Sequence, residues 1–500
     1  RVLLSLSLTA AEPGIIGFWG APAVRSHHPS SPAASSDGPP KNPPRGVIVI
    51  WADTLRKDHL SVYGHERPTS PVLDRMAAEG ALFTDCVAQA TWTKVATPSL
   101  MTSLYPATHG VTDFSDRLPA AATTMAEVYR DAGYATFSLS SIPFTGKFTN
   151  LHQGFEVVHE SSSLPDQRSS KTAREYVDRL LPWLETHRDV PFFVFLHVSD
   201  PHDPFKPYPP YDALWADPSK AAEHEHQLEQ VRKVIEAPLL KMFGMPTRAE
   251  LVRAGLDADE YVSRDRDWYD GSIRAMDTEI GRVIERLRTL GIEKDTLVVF
   301  TGDHGEEFLE HGRTFHGQSV YGELTNVPLI LWGPGRVQAG TKVDQTVQTI
   351  DLMPTLLDLS GLDSPSGIQG HSLTGLLAGG KTEARAACSQ KAQTFEVGGG
   401  PPPNETESFA VVLDGWKLVH HTKRLSGDRT PEFELFDTRS DPLNATDKAA
   451  EHPEIVGKLA PRLRQWLDTA RAARLPSDAD AAQGLSDEEM ERLRSLGYIQ

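Results

Sequence analysis

The sequence predicts an α/β fold: a large, mostly parallel sheet flanked by helices, followed by a small C-terminal α+β unit. Three observations carry this. Apolar, β-branched runs recur without the alternation of a half-wet strand, as strands buried on both faces do. They are GVIVIWADT from Gly46, YATFSLS from Tyr134, PFFVFLHVSD from Pro191, TLVVFTGDHG from Thr296 and VPLILWGPG from Val327. Helical patterns lie between them. Three of the runs end in polar groups, Asp53, the SDPH segment and the GDHGE segment, and ligands bind beyond the carboxyl ends of such strands.

The elements follow in order. PTSPVLDRMAAEG has a Ser-Pro start and a glycine stop at Gly80, and TTMAEVYRDAGY stops at Gly133. From Asp267 to Gly291, Ile273, Met276, Ile280, Val283, Ile284 and Leu287 recur at helical spacing. The segment 241–267 reads as a helical insertion or lid. After residue 380 the texture changes. CSQKAQTFEVGGGPPPNETES reads as a loop, FAVVLDGWKLVHHTK and EFELFDT as antiparallel strands, and PEIVGKLAPRLRQWLDTARAA as an amphipathic helix. The expected organisation is a leader and flexible linker over 1–45, a catalytic domain over 46–380 and the α+β unit over 381–500.

Composition bounds the function. The chain has 500 residues, 39% hydrophobic and 24% charged, enough to bury a large core. A formal net charge of −18 argues against general nucleic-acid binding. RVLLSLSLTA has the pattern of a secretory leader's apolar tail, which predicts an exported protein, periplasmic or secreted; the alternative is a leucine-rich unstructured start. Residues 26–45 are Ser/Pro-rich, the composition of a linker. Cys86 and Cys388 allow one disulfide but no disulfide framework. NET at 404–406 and NAT at 444–446 fit the glycosylation pattern.

Four pieces carry chemistry. Asp53 follows the first buried run, where a carboxylate serves as metal ligand or helix cap. Asp303 and His304 are freed by flanking glycines and can reach one divalent cation, with His311 and His316 close behind. His202, beside Asp200, is suited to binding an oxyanion or protonating a leaving group, although a lone histidine in a Pro-rich loop is more often structural. TWTKVATPSLMTSLYPATHG, Thr91 to Gly110, has the form of a nucleophile segment.

In this order the pieces resemble the sulfatase family, within the alkaline-phosphatase-like superfamily. The resemblance runs from VIVIWADTLRKDHLSVYG through SLMTSLYPATHGV, FFVFLHVSDPHDPFKP, LVVFTGDHGEEFLEHG and GELTNVPLILWGPG to the closing LSDEEMERLRSLGYIQ. It implies an ester hydrolase with one divalent metal. Sulfatases carry a Cys or Ser, converted to formylglycine, nine residues before a Thr-Gly pair. Thr102-Ser103 matches that pair, so the nucleophile position holds Thr93; a rival register would place Ala96 there. Threonine cannot yield the aldehyde, and Cys86 lies seven residues too early, so no formylglycine is expected. Superfamily members with a threonine there attack phosphorus directly, which implies Thr93 as nucleophile and metal ligand with Asp53, Asp303 and His304.

The family arginine four residues on is Thr97, and the substrate-binding lysine falls on His316. Lys94 either compensates for the lost charge or is a solvated lysine. His202 and His316 would bind the oxyanion or protonate the leaving group. The Asp-His pair, in place of Asp-Asn, moves the expected metal from Ca²⁺ toward Mn²⁺ or Zn²⁺. The expected substrate is a small-molecule, glycan or lipid ester of phosphate or sulfate. A catalytically dead homologue acting as a binding protein is the alternative from another class.

Overall fold

The computed structural model describes residues 43–160, 173–236, 241, 244–391, 407–422 and 431–478. The leader, the linker up to residue 42, the 404–406 sequon and the closing LSDEEMERLRSLGYIQ lie outside the described residues.

The large sheet is built from β1 (Gly46–Ala52), β2 (Ala81–Val87), β3 (Ala135–Ser140), β4 (Val157–Glu160), β5 (Phe192–Val198), β6 (Thr296–Gly302), β9 (Asn326–Trp332), β10 (Thr341–Val343) and β11 (Val347–Gln348). Between β6 and β9 lies a two-stranded hairpin of β7 (Glu307–Phe308) and β8 (Thr314–Phe315). The sheet order is β10-β2-β9-β6-β1-β5-β3-β4, with β11 also on β2. Each of the five apolar runs is a strand. Four are parallel, while β9 runs antiparallel between β2 and β6, so the sheet is mixed but mostly parallel.

Strand β1 sits in the middle and fixes the site. Its side chains alternate between two cores. Val47, Val49 and Trp51 face the helices Thr93–Thr102, Met125–Asp131 and Leu352–Leu359. Ile48, Ile50 and Ala52 face the helices Pro71–Glu79, Ala173–His187 and Ala258–Thr289. Register pairs Ala52 with Val198 on one side and Gly302 on the other, so the three strands end level.

The helix expected from Asp267 begins earlier, at Ala258. Asp257 caps it by accepting from the Asp259 and Glu260 amides, and Tyr261, Val262 and Trp268 bury its first turns. The last ten residues of the expected lid, 258–267, are therefore an extension of a core helix. A short helix, Arg248–Arg253, precedes it behind a Thr247/Glu250 capping box.

The C-terminal unit is a four-stranded antiparallel sheet, β12 (Ala387–Gln390), β13 (Ser408–Leu413), β14 (Trp416–His421) and β15 (Phe433–Asp437), covered by the helix Pro453–Ala472. Cys388 to Gln390, expected as loop, form part of β12 because their backbone pairs with β13. Both cysteines are free and buried, so the possible disulfide is not formed. Asn444 is 1% exposed and its amide donates to Asp441 O at 3.3 Å, so the folded chain does not present that sequon. Among the described residues no helix is long and apolar enough to cross a membrane.

Candidate active site

The level ends of β5, β1 and β6 bring the candidate residues to one point. Asp53 N donates to Val198 O and Asp303 N to Ala52 O, each at 3.0 Å, so both residues continue the ladder by one step. Thr54 then turns the chain with φ +54°, and its amide donates to Asp303 Oδ1 at 2.9 Å. The His304 amide donates to the same oxygen at 2.7 Å. Two amides thus hold one oxygen of Asp303, and its Oδ2 is left buried without a hydrogen-bond partner. Tyr269, on the long helix, clamps the loop by donating to Thr54 O and accepting from Arg56 N.

Thr93 opens the helix Thr93–Thr102. Its Oγ1 lies 3.1 Å from Asp53 Oδ1 and 3.2 Å from His304 Nε2. The helix N-terminus adds a positive field at the same place. His304 Nδ1 donates to Gly305 O at 2.9 Å, so its neutral tautomer presents Nε2 as a lone pair. Ala96, in the rival register, offers only a methyl group.

His197, in the middle of the apolar run of β5, belongs to this group and was not among the expected ligands. Its Nε2 lies 3.7 Å from Asp53 Oδ2, and its Nδ1 bonds Ser141 Oγ at 2.5 Å. One signal in the sequence pointed to it: an imidazole fully buried in a parallel strand needs a polar partner.

Ligand atoms of Asp53, His197 and Asp303 all lie within 4.8 Å of one another. Asp53 Oδ2, Asp303 Oδ2 and His197 Nε2 are buried without hydrogen-bond partners. Bonds of about 2.1 Å in a tetrahedral site place neighbouring ligand atoms roughly 3.4 Å apart. His304 Nε2 lies 3.4 Å from Asp303 Oδ2, at that spacing, and 4.0 Å from Asp53 Oδ1, while His197 Nε2 lies 3.7 Å from Asp53 Oδ2 and Thr93 Oγ1 3.1 Å from Asp53 Oδ1. The donor set therefore suits a divalent cation held by two carboxylates and imidazole nitrogen.

The electrostatics agree. Burial, then the neighbouring Asp303, raises the Asp53 carboxyl well above its ordinary range, as expected for two carboxylates converging without a counter-ion. Burial lowers His197 to about 3 and also lowers His304, so both imidazoles are neutral and able to donate lone pairs.

His202 and His316 join the group from separate loops. The His316 ring lies 4.6 Å from His304 and 5.1 Å from His202. Burial alone would lower His202, but the carboxylates of Asp53 and Asp203 outweigh it and push it up to about 10. Burial, with His304 and His202, takes His316 well below its ordinary value. Its Nδ1 is 3.2 Å from Glu306, a buried carboxyl that the sequence had not singled out. Environments that push two neighbouring groups apart give one a proton to donate and the other a proton to accept.

Lys94 is directed elsewhere. Its Nζ donates to Asp116 O at 2.7 Å and Thr149 Oγ1 at 3.2 Å, 4.3 Å from the Phe148 ring centroid. Its environment is neither solvent nor the Thr93 hydroxyl. At the family's arginine position, Thr97 Oγ1 accepts from the Trp51 indole at 3.1 Å and donates to Thr93 O at 2.8 Å. Cys86 is buried in β2, and His311 pairs with Glu323 at 2.6 Å.

A mostly parallel sheet thus carries an acidic, histidine-rich cluster and a buried hydroxyl at its carboxyl edge. A family model described as Sulfatase matches residues 45–362, and one described as N-sulphoglucosamine sulphohydrolase, C-terminal, matches residues 310–469. The chain belongs to the sulfatase family. It is 25% identical to arylsulfatase K of Bos taurus over 479 residues, covering 88% of this chain and 86% of the relative. It is 24% identical to N-acetylglucosamine-6-O-sulfatase of Bacteroides thetaiotaomicron, covering 84% and 87%. Among solved structures, the phosphonate monoester hydrolase of Agrobacterium radiobacter superposes with a TM-score of 0.67 at 23% identity, covering 90% of this chain and 99% of that one; this likeness concerns the fold.

Proposed function

We propose that this chain is a metal-dependent ester hydrolase in which the Thr93 hydroxyl attacks directly, and that its esters are of phosphorus, as phosphonate or phosphate esters. One observation carries the reading. The Thr93 hydroxyl lies between Asp53 Oδ1 and His304 Nε2, where the orphaned oxygens of Asp53 and Asp303 and the orphaned nitrogen of His197 converge. Asp53, His197, Asp303 and His304 would hold the cation. Two imidazoles beside two carboxylates favour Zn²⁺ or Mn²⁺ over Ca²⁺. When bound, a divalent ion polarises the ester's non-bridging oxygen and lowers the pKa of the threonine hydroxyl.

The chain's own residues do the rest. The helix N-terminus at Thr93 and His202, whose proton the carboxylate of Asp203 at 3.1 Å favours, receive the anionic centre. The Thr93 hydroxyl proton passes to Asp53 Oδ1, to which it donates at 3.1 Å, as the Oγ–phosphorus bond forms; the bond to the leaving oxygen breaks and His202 gives that oxygen a proton. When water later attacks phosphorus, His316, beside Glu306, takes a proton from it and hands it back to the neighbouring His202, while Asp53 returns its proton to the departing Thr93 Oγ. Two inversions give net retention at phosphorus. A dead homologue acting as a binding protein is the weaker alternative, because such a protein has no use for three converging, unpartnered ligand atoms.

Sulfate ester hydrolysis is the second reading, favoured by family membership and the arylsulfatase relative. The assay compares 4-nitrophenyl phenylphosphonate with 4-nitrophenyl sulfate on wild type, Thr93→Ala and Thr93→Ser, with Zn²⁺, Mn²⁺ and Ca²⁺. Phosphonate turnover is expected to fall by about 10³-fold or more in Thr93→Ala and to survive in part in Thr93→Ser. Acid quenching should trap phosphate or phosphonate on the peptide carrying Thr93. Sulfate-only turnover, or full activity in Thr93→Ala, would sink the direct-attack reading.

A further inference from the structure

Beside the histidines lies a cavity of about 780 Å³, within the range of small-molecule sites. It begins where the proposed proton donor and acceptor end. Asp203, which pairs with His202, Glu306, which pairs with His316, and Phe315 form its inner rim. Phe315 holds φ +82°, a conformation that a bulky side chain adopts only under strain. That backbone sets its ring 3.9 Å from His316 and 6.3 Å from His202, so one side chain both lines the cavity and packs on the two histidines.

The walls are aromatic and aliphatic: Phe205, Trp268, Tyr261, Phe308 and, from the helix Ala221–Val234, Leu228. Trp268 and Tyr261 come from the first turns of the long helix, and both are nearly buried. Edge-on contact with His224, itself paired with Asp265 at 3.0 Å, fixes the Trp268 indole. The lysine and arginine on the described walls are already engaged. Lys206 pairs with Glu225 at 2.8 Å and Arg232 with Glu229 at 2.6 Å. Asp203, Asp212 and Asp265 also line the space, so among the described residues a second anionic group on a substrate meets carboxylates and no lysine or arginine that lacks a carboxylate partner.

We propose that this cavity is the leaving-group site and takes an uncharged aromatic alcohol, rejecting a saccharide that carries a second sulfate. The proposal rests on the reading above only in placing the reacting ester at Thr93.

Calorimetry on the full chain with 2-naphthol, the product-side probe, tests it without any chemistry. Naphthol should bind wild type, whereas D-glucosamine-2-N,6-O-disulfate should bind at least about tenfold more weakly. Trp268→Ala, with its fold checked by circular dichroism, should weaken naphthol binding by about tenfold or more. Leu228→Trp, at a half-buried position, should project an indole into the cavity and weaken naphthol binding even if Trp268→Ala fails to fold. Glu225→Lys/Glu229→Lys, at exposed positions, should raise affinity for the disulfate about tenfold and leave naphthol within about twofold.

Disulfate binding to wild type as tight as naphthol overturns the proposal. So does unchanged naphthol affinity in Leu228→Trp or in a folded Trp268→Ala, or a double variant that gains nothing for the disulfate. Naphthol binding with a fully active Thr93→Ala would remove the direct-attack mechanism and leave the cavity assignment standing. An inactive Thr93→Ala with no naphthol binding would do the reverse.

Discussion

Thr93 and Thr97 stand one helical turn apart and have opposite roles. Thr93 faces the ligand cluster, while Thr97 ties the helix to Trp51 where the family's arginine would stand. Residue exchange alone therefore removes a cation and leaves a packed hydroxyl in its place. His197 is the residue whose role needed the fold. If its Nε2 is a ligand, His197→Ala should lower metal affinity by about ten- to a hundredfold or more, since losing even a residue that only hydrogen-bonds a ligand costs that much. Inductively coupled plasma mass spectrometry after dialysis checks this, and unchanged stoichiometry would remove His197 from the set.

Lys94 gives a pH prediction. Burial lowers it to about 7, against about 10.4 in an unfolded chain, so between those values the unfolded state binds more protons. Its contribution to stability therefore rises with pH from about 7 to about 10. Lys94→Met should flatten that rise in urea melts at pH 7 and pH 9; a variant with the wild-type slope would contradict it.

At the scale of elements, two tight joints govern the site. The turn after β6 is packed so closely that a Cβ on Gly305 would lie 1.8 Å from Glu323 O. Gly305→Ala must displace the backbone next to His304, so both turnover and melting temperature should drop, by several degrees for the latter. Equal kinetics in the alanine variant would show that the turn has slack.

The second joint is Asp270, on the long helix. It receives His59 at 2.7 Å, His65 at 3.1 Å and Arg67 at 2.8 Å, and so ties the loop after β1 to the helix behind it. Although burial opposes ionisation, the His59 and His65 hydrogen bonds hold its carboxyl well below the ordinary range. A depressed carboxyl stabilises the fold above its unfolded pKa of about 3.9 and loses that contribution as pH falls further. Asp270→Asn should therefore cost about 3 kcal/mol at pH 7, with the difference closing below about pH 4 in denaturant melts. A constant difference across that window would assign the loss to packing.

At the scale of the molecule, the C-terminal sheet is fastened to the large domain rather than tethered to it. Tyr105, Ala107 and Ile350 share one core with Phe409, Leu418 and Leu463. Buried Lys417 donates to Thr325 Oγ1 at 2.7 Å, and His311 Nε2 bonds Asn444 O at 2.9 Å. Calorimetry should give one unfolding transition, because neither part keeps its core when the other opens. Two separated transitions would show that the shared core contributes little. Deletion after residue 380 should expose that apolar surface and yield insoluble protein.

The sequence by itself determined the five buried strands and the carboxylates and histidines at their ends. Each is a local matter: apolar runs mark strands buried on both faces, and the carboxyl ends of parallel strands converge. It did not determine the reversed direction of β9, which depends on which neighbours the strand meets, or the strand at Cys388, whose partner is the more distant β13. Nor could it decide that His197 points into the Asp53–Asp303 cluster while Lys94 turns toward Phe148, because adjacent positions on a helix or strand point in different directions. The aromatic cavity was likewise hidden. Its walls come from residues between 203 and 315, and only the packing of the long helix against the β7–β8 hairpin places them around one space.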